Sequence, residues 1–251
     1  MILLASTLAA WLGPSFPANA GEPGAAERAG WSFQLTPYIW GAGLKGDVGT
    51  RSNLPTAEID ASFGDIIENT DLAFMLVGEA RCGRWGLVAD LAYLSIGAEG
   101  TTPGLLFSGV ETDADTFIGT LGLTYRLIDW PDRWLDLVAG GRVWSVDNDV
   151  TFKAGRLPEF NTGVSESWVD PVVGLRGSID LGSGFVAAAH ADVGSGASDL
   201  TWQIYGGVGY QFNDHVLAQI GYRYLSVDYE DNGFVWDVAM SGPIIGLSIR
   251  F

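Results

Sequence analysis

Cysteine is nearly missing from this 251-residue chain. Cys82 is the only one, so no internal disulfide can form and the fold must hold by hydrogen bonding and packing. Basic residues are scarce as well, 13 Lys and Arg against 30 Asp and Glu. Nucleic-acid binding needs a basic surface facing phosphates and is excluded. The acidic balance instead suits an exposed or cation-facing surface. Long apolar runs are absent too: 47% of residues are hydrophobic, yet no internal stretch approaches the roughly 18 uninterrupted apolar residues of a membrane-spanning helix. Glycine (35 residues) and aromatics (12%) are plentiful. Glycine at that density disfavours long helices, and the ring content is too high for disorder. Sheet is what remains, and this length suits a single all-β domain.

Residues 1–20, "MILLASTLAAWLGPSFPANA", run apolar from Ile2 to Leu12, break at Pro14 and Pro17, and end in Ala18-Asn19-Ala20. This predicts a secretory signal peptide cleaved before Gly21, although its n-region has no Lys or Arg. Residues 21–30 read as a flexible mature N-terminus, and 31–251 as one domain.

Over that domain a period of two replaces any helical period. In "TFIGTLGLTYRL", Phe117, Leu121, Leu123, Tyr125 and Leu127 share one face, while Thr116, Thr120, Thr124 and Arg126 share the other. One face suits lipid and the other water. Ten such runs occur, near Trp31–Leu44, Leu72–Arg81, Arg84–Ile96, Asp115–Ile128, Arg133–Val146, Ser167–Leu181, Phe185–Gly194, Leu200–Phe212, Val216–Asp228 and Val235–Phe251. Each is long enough for a tilted transmembrane strand, which needs roughly 9–11 residues. Tight turns (Cys82-Gly83, "DWPD", "GSG", "NDH") alternate with longer connections over 45–71, 97–114 and 147–166 and the shorter "SGASD" and "EDNGF". The expected fold class is therefore all-β: a single antiparallel up-and-down transmembrane β-barrel of about ten strands, with eight and twelve as the alternatives and both termini on the periplasmic, short-turn side. Rings on the apolar parity support the register. Trp85, Tyr125, Phe185, Phe212 and Phe251 fall beside the short turns, and Tyr93, Phe117, Trp202, Tyr222 and Tyr224 toward the loops, as two interfacial belts.

The polar parity carries opposed charges at mid-strand: Glu79, Arg81, Asp90, Arg126, Asp136, Arg142, Asp170, Arg176, Asp180, His190, Asp192, Arg223 and Arg250. Buried charges must pair, and Arg pairs bidentately, so these residues predict a charge network across a narrow lumen.

The chain closes on "GPIIGLSIRF", with Pro243, Ile245, Leu247, Ile249 and Phe251 on the lipid face. Gly246, Ile249 and the terminal Phe251 resemble the C-terminal assembly signal of bacterial outer-membrane barrels; Ile244 stands where that signal has a polar residue. As a whole the mature chain resembles the small outer-membrane β-barrel superfamily of OmpA- and OmpW-type proteins. The resemblance implies export to the outer membrane, contact with its lipid and lipopolysaccharide, and recognition of the last strand by the barrel assembly machinery. It implies no cofactor, and the fold hosts many functions.

Two pieces invite a catalytic reading. Asp113-Ala-Asp115 and His190-Ala-Asp192 can be set against the omptin proteases, ten-stranded barrels that activate water between an Asp pair and an Asp–His pair. Here the second pair runs His before Asp, the reverse order, and a plain ion pair explains it. A lipid-modifying hydrolase needs Ser beside His on the lipid face, and neither His190 nor His215 has a Ser two residues away. "DYEDNG" fails the EF-hand pattern at Glu230 and Ala239; Asn232-Gly233 reads as a hairpin turn. Within the 45–71 connection, Ser62 followed by Asp65, with Phe63, Ile66 and Ile67 on one side, predicts about two helical turns that either fold over the barrel mouth or lie solvated on it. Asp47, Glu58, Asp60, Asp65, Glu68, Asp71, Glu99, Glu111, Asp147 and Asp149 make the loop end acidic, either as a solubilising surface or as a divalent-cation bridge to lipopolysaccharide. The expectation is a non-enzymatic outer-membrane barrel, structural or a narrow passive channel for small solutes, with no metal site. An outer-membrane hydrolase and a surface-binding barrel acting through its acidic loops are the alternatives.

Overall fold

The computed structural model describes residues 30–49, 57–100 and 107–251. The expected signal peptide and residues 21–29 lie outside them. Among the described residues twelve strands and one short helix follow in chain order: β1 (Trp31–Trp40), β2 (Gly43–Gly49), β3 (Ala57–Ala61), α1 (Phe63–Glu68), β4 (Thr70–Cys82), β5 (Trp85–Gly100) and β6 (Phe107–Trp130). They continue as β7 (Arg133–Ala154), β8 (Phe160–Gly182), β9 (Phe185–Gly194), β10 (Leu200–Gln211), β11 (Val216–Asp231) and β12 (Phe234–Arg250). Ten of them, β1 and β4–β12, pair antiparallel with sequence neighbours, and β12 returns to β1 to close the barrel. Closure pairs the strand edges around the ring except where β4 runs on past Leu76 without a partner on its β1 side, and paired edges are what let a sheet sit in hydrocarbon.

The first alternating run, expected as one strand, is two. β1 ends at Trp40, and after Gly41-Ala42 the chain re-enters as β2, which takes over the outer part of β12 (Val235↔Gly49 to Ser241↔Gly43) while β1 holds the inner part. β3 then pairs with β2 outside the ring. Glycine permits the changeover. A Cβ on Gly242 would stand 1.9 Å from Gly41 O, and Gly46, at φ 150°, passes Asp237 O at a distance that leaves no room for a side chain. The 232–233 hairpin turn has positive φ at both residues, 48° and 86°, as a two-residue type I′ connection requires.

Two expected long loops are mostly strand. β5 and β6 stay paired out to Gly100↔Val110, and β7 and β8 out to Phe152↔Phe160. The ladder needs only backbone hydrogen bonds, so it outlasts the apolar alternation that marked the strands. β6, with 24 residues, is at least twice what a bilayer requires. The barrel therefore projects well beyond its apolar belt at the end opposite Trp31 and Phe251, here called the far end.

The belt is formed by outward side chains such as Leu121, Val169, Val173, Ile204, Ile220 and Ile245, all half or more exposed. Aromatics border it. Trp85 meets Tyr125 edge-on at 4.8 Å, and Phe185, Tyr210 and Phe212 form a chain of 5.1 Å contacts at the terminal end. At the far border Trp202 stacks on Tyr224 at 4.8 Å. Above that border the pattern inverts within single strands. On β11, Ile220, Tyr222 and Tyr224 point outward, whereas Leu225, Val227 and Tyr229 are buried inside and Ser226, Asp228 and Glu230 face out. The adjacent pair Tyr224-Leu225 marks the change of solvent.

Candidate functional site: the barrel interior

The interior has two storeys. Inside the apolar belt it is polar. β7 supplies Asp136 and Arg142, both without exposed surface. Asp136 is the hub of the terminal-end layer: Arg81 and Arg126 both donate to it, and Arg176 Nε lies 3.4 Å away while its other arm holds Glu79. The register makes this possible, because Arg126 and Arg176 sit directly across from Asp136 on β6 and β8. Trp134 lies beneath the guanidinium groups of Arg126 (4.6 Å) and Arg176 (5.4 Å). One layer up, Arg142 Nη2 donates to both carboxylate oxygens of Asp192 (2.8 and 3.0 Å), and its Nε and Nη1 donate to the hydroxyls of Thr120 (3.2 Å) and Thr201 (3.1 Å). Gln203 also donates to Asp192, and His190 Nε2 lies 3.1 Å from it. Across the lumen Arg223 pairs with Asp90 (3.0 Å); Tyr38 donates to Asp90 (2.7 Å), accepts from Arg223 (3.2 Å), and Trp40 lies under that guanidinium at 4.8 Å.

Three predicted members behave otherwise. Asp170 is opposite Arg142 on the neighbouring strand, but Arg142 turns to Asp192, and Asp170 accepts instead from the Ser198 N–H at 2.8 Å. Its second oxygen has no partner among the described residues. Asp180 is outside the network: a register shift between Asp180 and Gly182 brings it to the turn, where it accepts from Gly182 N–H at 2.7 Å. Arg250 is exposed at the rim and reaches Gln34 at 3.4 Å rather than a carboxylate. Both lie too near the strand ends to be covered by the opposite wall.

Above the polar storey the interior is aromatic. Trp144, with no exposed surface, stacks on Trp168 at 5.8 Å, and Trp168 stacks on Tyr229 at 4.0 Å; Phe234 and Trp236 continue the packing, with Leu225, Val227, Val238 and Met240 between them. Nothing in the mid-strand charge pattern announces this layer. Its signal is the inward parity followed past the aromatic border, where Trp144-x-Val146 and Trp236-x-Val238-x-Met240 replace the charges.

Within the polar storey a void of about 110 Å³ is bounded by Asp90, His190, Gln203, Tyr205 and Arg223. At the terminal mouth Arg81, Arg84, Arg126 and Asp129 line an open vestibule of about 680 Å³. His190 and Asp192 do not converge with Asp113 and Asp115. The first pair faces the lumen; the second is on the outward parity of β6, where Tyr93 donates to Asp115 at 2.9 Å. Among the described residues no group of three or more His, Cys, Asp and Glu side chains is placed to hold a metal ion.

Outside the belt, α1 is held by a reciprocal cap: Asp65 N–H donates to Ser62 Oγ (3.3 Å) and Ser62 N–H to the Asp65 carboxylate (2.9 Å). These bonds favour the ionised Asp65 and lower its pKa. On the far extension Asp228 is across from Asp237. Partial desolvation, then Asp237, Asp199 and Glu230, raise its pKa.

No protein-family model matches the sequence, and no curated protein is similar to it. Solved structures are. The outer membrane protease OmpT from Escherichia coli aligns with a TM-score of 0.56 at 11% identity, covering 89% of this chain and 97% of that one. The translocator domain of the autotransporter NalP from Neisseria meningitidis aligns at 0.42 and 13% identity, covering 88% of each chain. Ail, the attachment invasion locus protein of Yersinia pestis, aligns at 0.31 and 13%, covering 88% of this chain and 99% of that one. What this chain shares with OmpT is the fold, a closed up-and-down β-barrel.

Proposed function

We propose that this protein is a non-catalytic outer-membrane barrel whose lumen is closed to ions. The observation that carries the reading is the double closure of the interior: Arg–Asp layers centred on the fully buried Asp136 and Arg142 span it inside the belt, and a packed aromatic layer roofs them. Opening an aqueous path needs a buried charge to lose its partner, which costs about 3–5 kcal/mol, and the aromatic stack to be dismantled as well. The apolar outer belt, bordered by rings at both ends, supports a bilayer location. Hydrolysis is disfavoured because the two acidic pairs that could share a water lie on opposite faces of the wall. Lipopolysaccharide and the assembly machinery are the partners that fit, the first at the far border and the second through Gly246, Ile249 and Phe251 of the closing strand.

Two measurements test this together. The mature chain should fractionate with the outer membrane and migrate faster unheated than boiled. In planar bilayers the same folded protein should give no current steps. Large, steady, cation-selective currents would replace the sealed barrel with an acidic pore.

A further inference from the structure

The barrel wall has a gap. The β1–β4 ladder runs from Trp31↔Cys82 to Pro37↔Leu76 and stops there, although β4 continues to Thr70 and remains paired with β5 along that length, with one register shift near its end. Carried on in register, Trp40 would face Ala73 and its N–H would meet a carbonyl. It donates instead to Met75 Sδ at 3.3 Å, a weak acceptor that takes the place of a missing strand bond. The other edge of the same residues is intact, Tyr38↔Gly246 to Trp40↔Ile244. The break is therefore one-sided and lies between β1 and β4.

Its depth follows from the register. Gly41 N–H donates to Pro243 O at 2.8 Å, and Pro243 is opposite Tyr222 of the far aromatic border. Ile39, opposite Ile245 and level with Ile220, is therefore on the belt side of that border, and it is 68% exposed. Behind the gap is a cavity of about 110 Å³. Its inner wall is Trp40, Met75, Ala92 and Ile118, on the inward parity; Ile39 reaches it from outside, and Phe63 and Ile67 of α1 close it from above. No charged side chain lines it. One space thus touches the interior, the belt and the helix.

We propose that this cavity binds a small uncharged hydrocarbon of about benzene's size, admitted sideways from the bilayer through the β1–β4 gap, with α1 as its cover. Apolar chemistry decides the class: of the hydroxyls on its border, those of Tyr38 and Thr70 already donate to Asp90 and to Ile66 O, which leaves Thr116 as the remaining one, short of the two to four polar partners a water needs, whereas dry cavities of about 150 Å³ lined by Leu, Ile and Phe take up benzene. Met75 and Trp40 add a polarizable surface suited to rings. The route follows from what is closed. The ion-pair layers bar the way from the terminal end, while an apolar solute concentrates in the bilayer at the level of Ile39. The cover is lightly held, since α1 buries none of its residues and depends on its caps, the low local stability that movable elements share. This site does not depend on whether the lumen conducts, and the two readings fail separately.

The test uses the folded full chain in detergent micelles, with fluorobenzene followed by fluorine NMR. A saturable bound component is expected, and Ala92→Phe, which fills the cavity, should weaken it about tenfold or more, the equivalent of about 1.4 kcal/mol. The unheated gel band verifies that the variant is folded. Partitioning that never saturates and is the same in both proteins overturns the site. If native mass spectrometry finds instead a co-purifying phospholipid that Ala92→Phe removes and fluorobenzene does not displace, the cavity holds an acyl chain and the small-molecule assignment is wrong. The route is read with a bimane label on Met75→Cys in a Cys82→Ser background. Lipids brominated along their chains should quench this inward-facing position, and Ile39→Trp should reduce the quenching. No quenching by such lipids overturns lateral entry.

Discussion

Arg142 and Trp144 are two residues apart on β7, point to the same side, and are equally devoid of exposed surface. One is held by a carboxylate and two hydroxyls, the other by the flat face of Trp168. The difference between them is the difference between the belt section of the barrel and its far extension, and the cause is outside the wall. Where the outer face meets hydrocarbon, apolar residues gain nothing from pointing inward rather than outward, and the lumen is left to groups that hydrogen-bond one another. Where the outer face meets water, the ordinary hydrophobic drive returns and the interior fills with rings. A single strand thus obeys two burial rules, and the aromatic border is where they meet.

The comparison breaks most visibly at the buried charge. Arg142→Ala leaves Asp192 without its guanidinium partner and should cost about 3–5 kcal/mol, read as a drop in the temperature at which the compact gel band converts. It should also make a silent barrel leak in planar bilayers. If neither conductance nor melting changes, the inward orientation of that strand is wrong. Trp144→Ala, just above, should cost about 3 kcal/mol by opening a cavity in the aromatic layer, while currents stay at the wild-type level because the charge layers below are untouched. A leak equal to that of Arg142→Ala would show that the two storeys are one.

The outer face gives a sharper contrast. Leu121 is midway between Phe117 and Tyr125, and Leu121→Arg should destabilise by about 2–4 kcal/mol, as a charge at the bilayer midplane does. Ser165→Arg, on the outward face of the extension across from Asp147, should change stability by less than about 0.5 kcal/mol. Equal costs would mean that the belt is misplaced. The smallest effect is that of Asp65. Its carboxylate is favoured in the fold, so its contribution is complete above the ordinary value of 3.8 and is lost as pH falls through its lowered folded value. Amide exchange in α1 should accelerate in that acid range, and Asp65→Asn should flatten the response.

How far the sequence foretold this depends on the signal each part left. The closed barrel of ten strands, the apolar parity and the aromatic belts follow from a period of two that lipid enforces on one face. The strand lengths did not, because beyond the border the ladder is kept by backbone bonds that leave no mark in composition. The charged residues of the lumen were legible as types and parity, but their partners were not. Asp136 drawing three arginines, and Arg142 passing over Asp170 for Asp192, depend on which walls come close across the barrel. The division of the first run into β1 and β2 turned on Gly46 and on Gly242 of β12, which read as ordinary glycines until the two stretches are seen against each other. The aromatic storey was present in the sequence as inward Trp and Val, hidden by carrying one parity rule past the point where the solvent changes.

The shared use of β12 has a consequence in time. Among the described residues its inner half is the partner that closes β1 from that side, and β2 to β11 lie between the two strands in sequence. The ring therefore cannot be completed until β12 has been made. Each doubling of that separation adds only about 0.6 kcal/mol to the cost of closure, so what it fixes is the order of events. The joint that forms last is also the thinnest, since the pairing with β12 is interrupted at Thr36 and Pro37 and the pairing with β4 ends at Pro37. A folded barrel of this kind should open along β1 first, and the hairpins built from β6, β7 and β8 should outlive it as a curved, unjoined sheet.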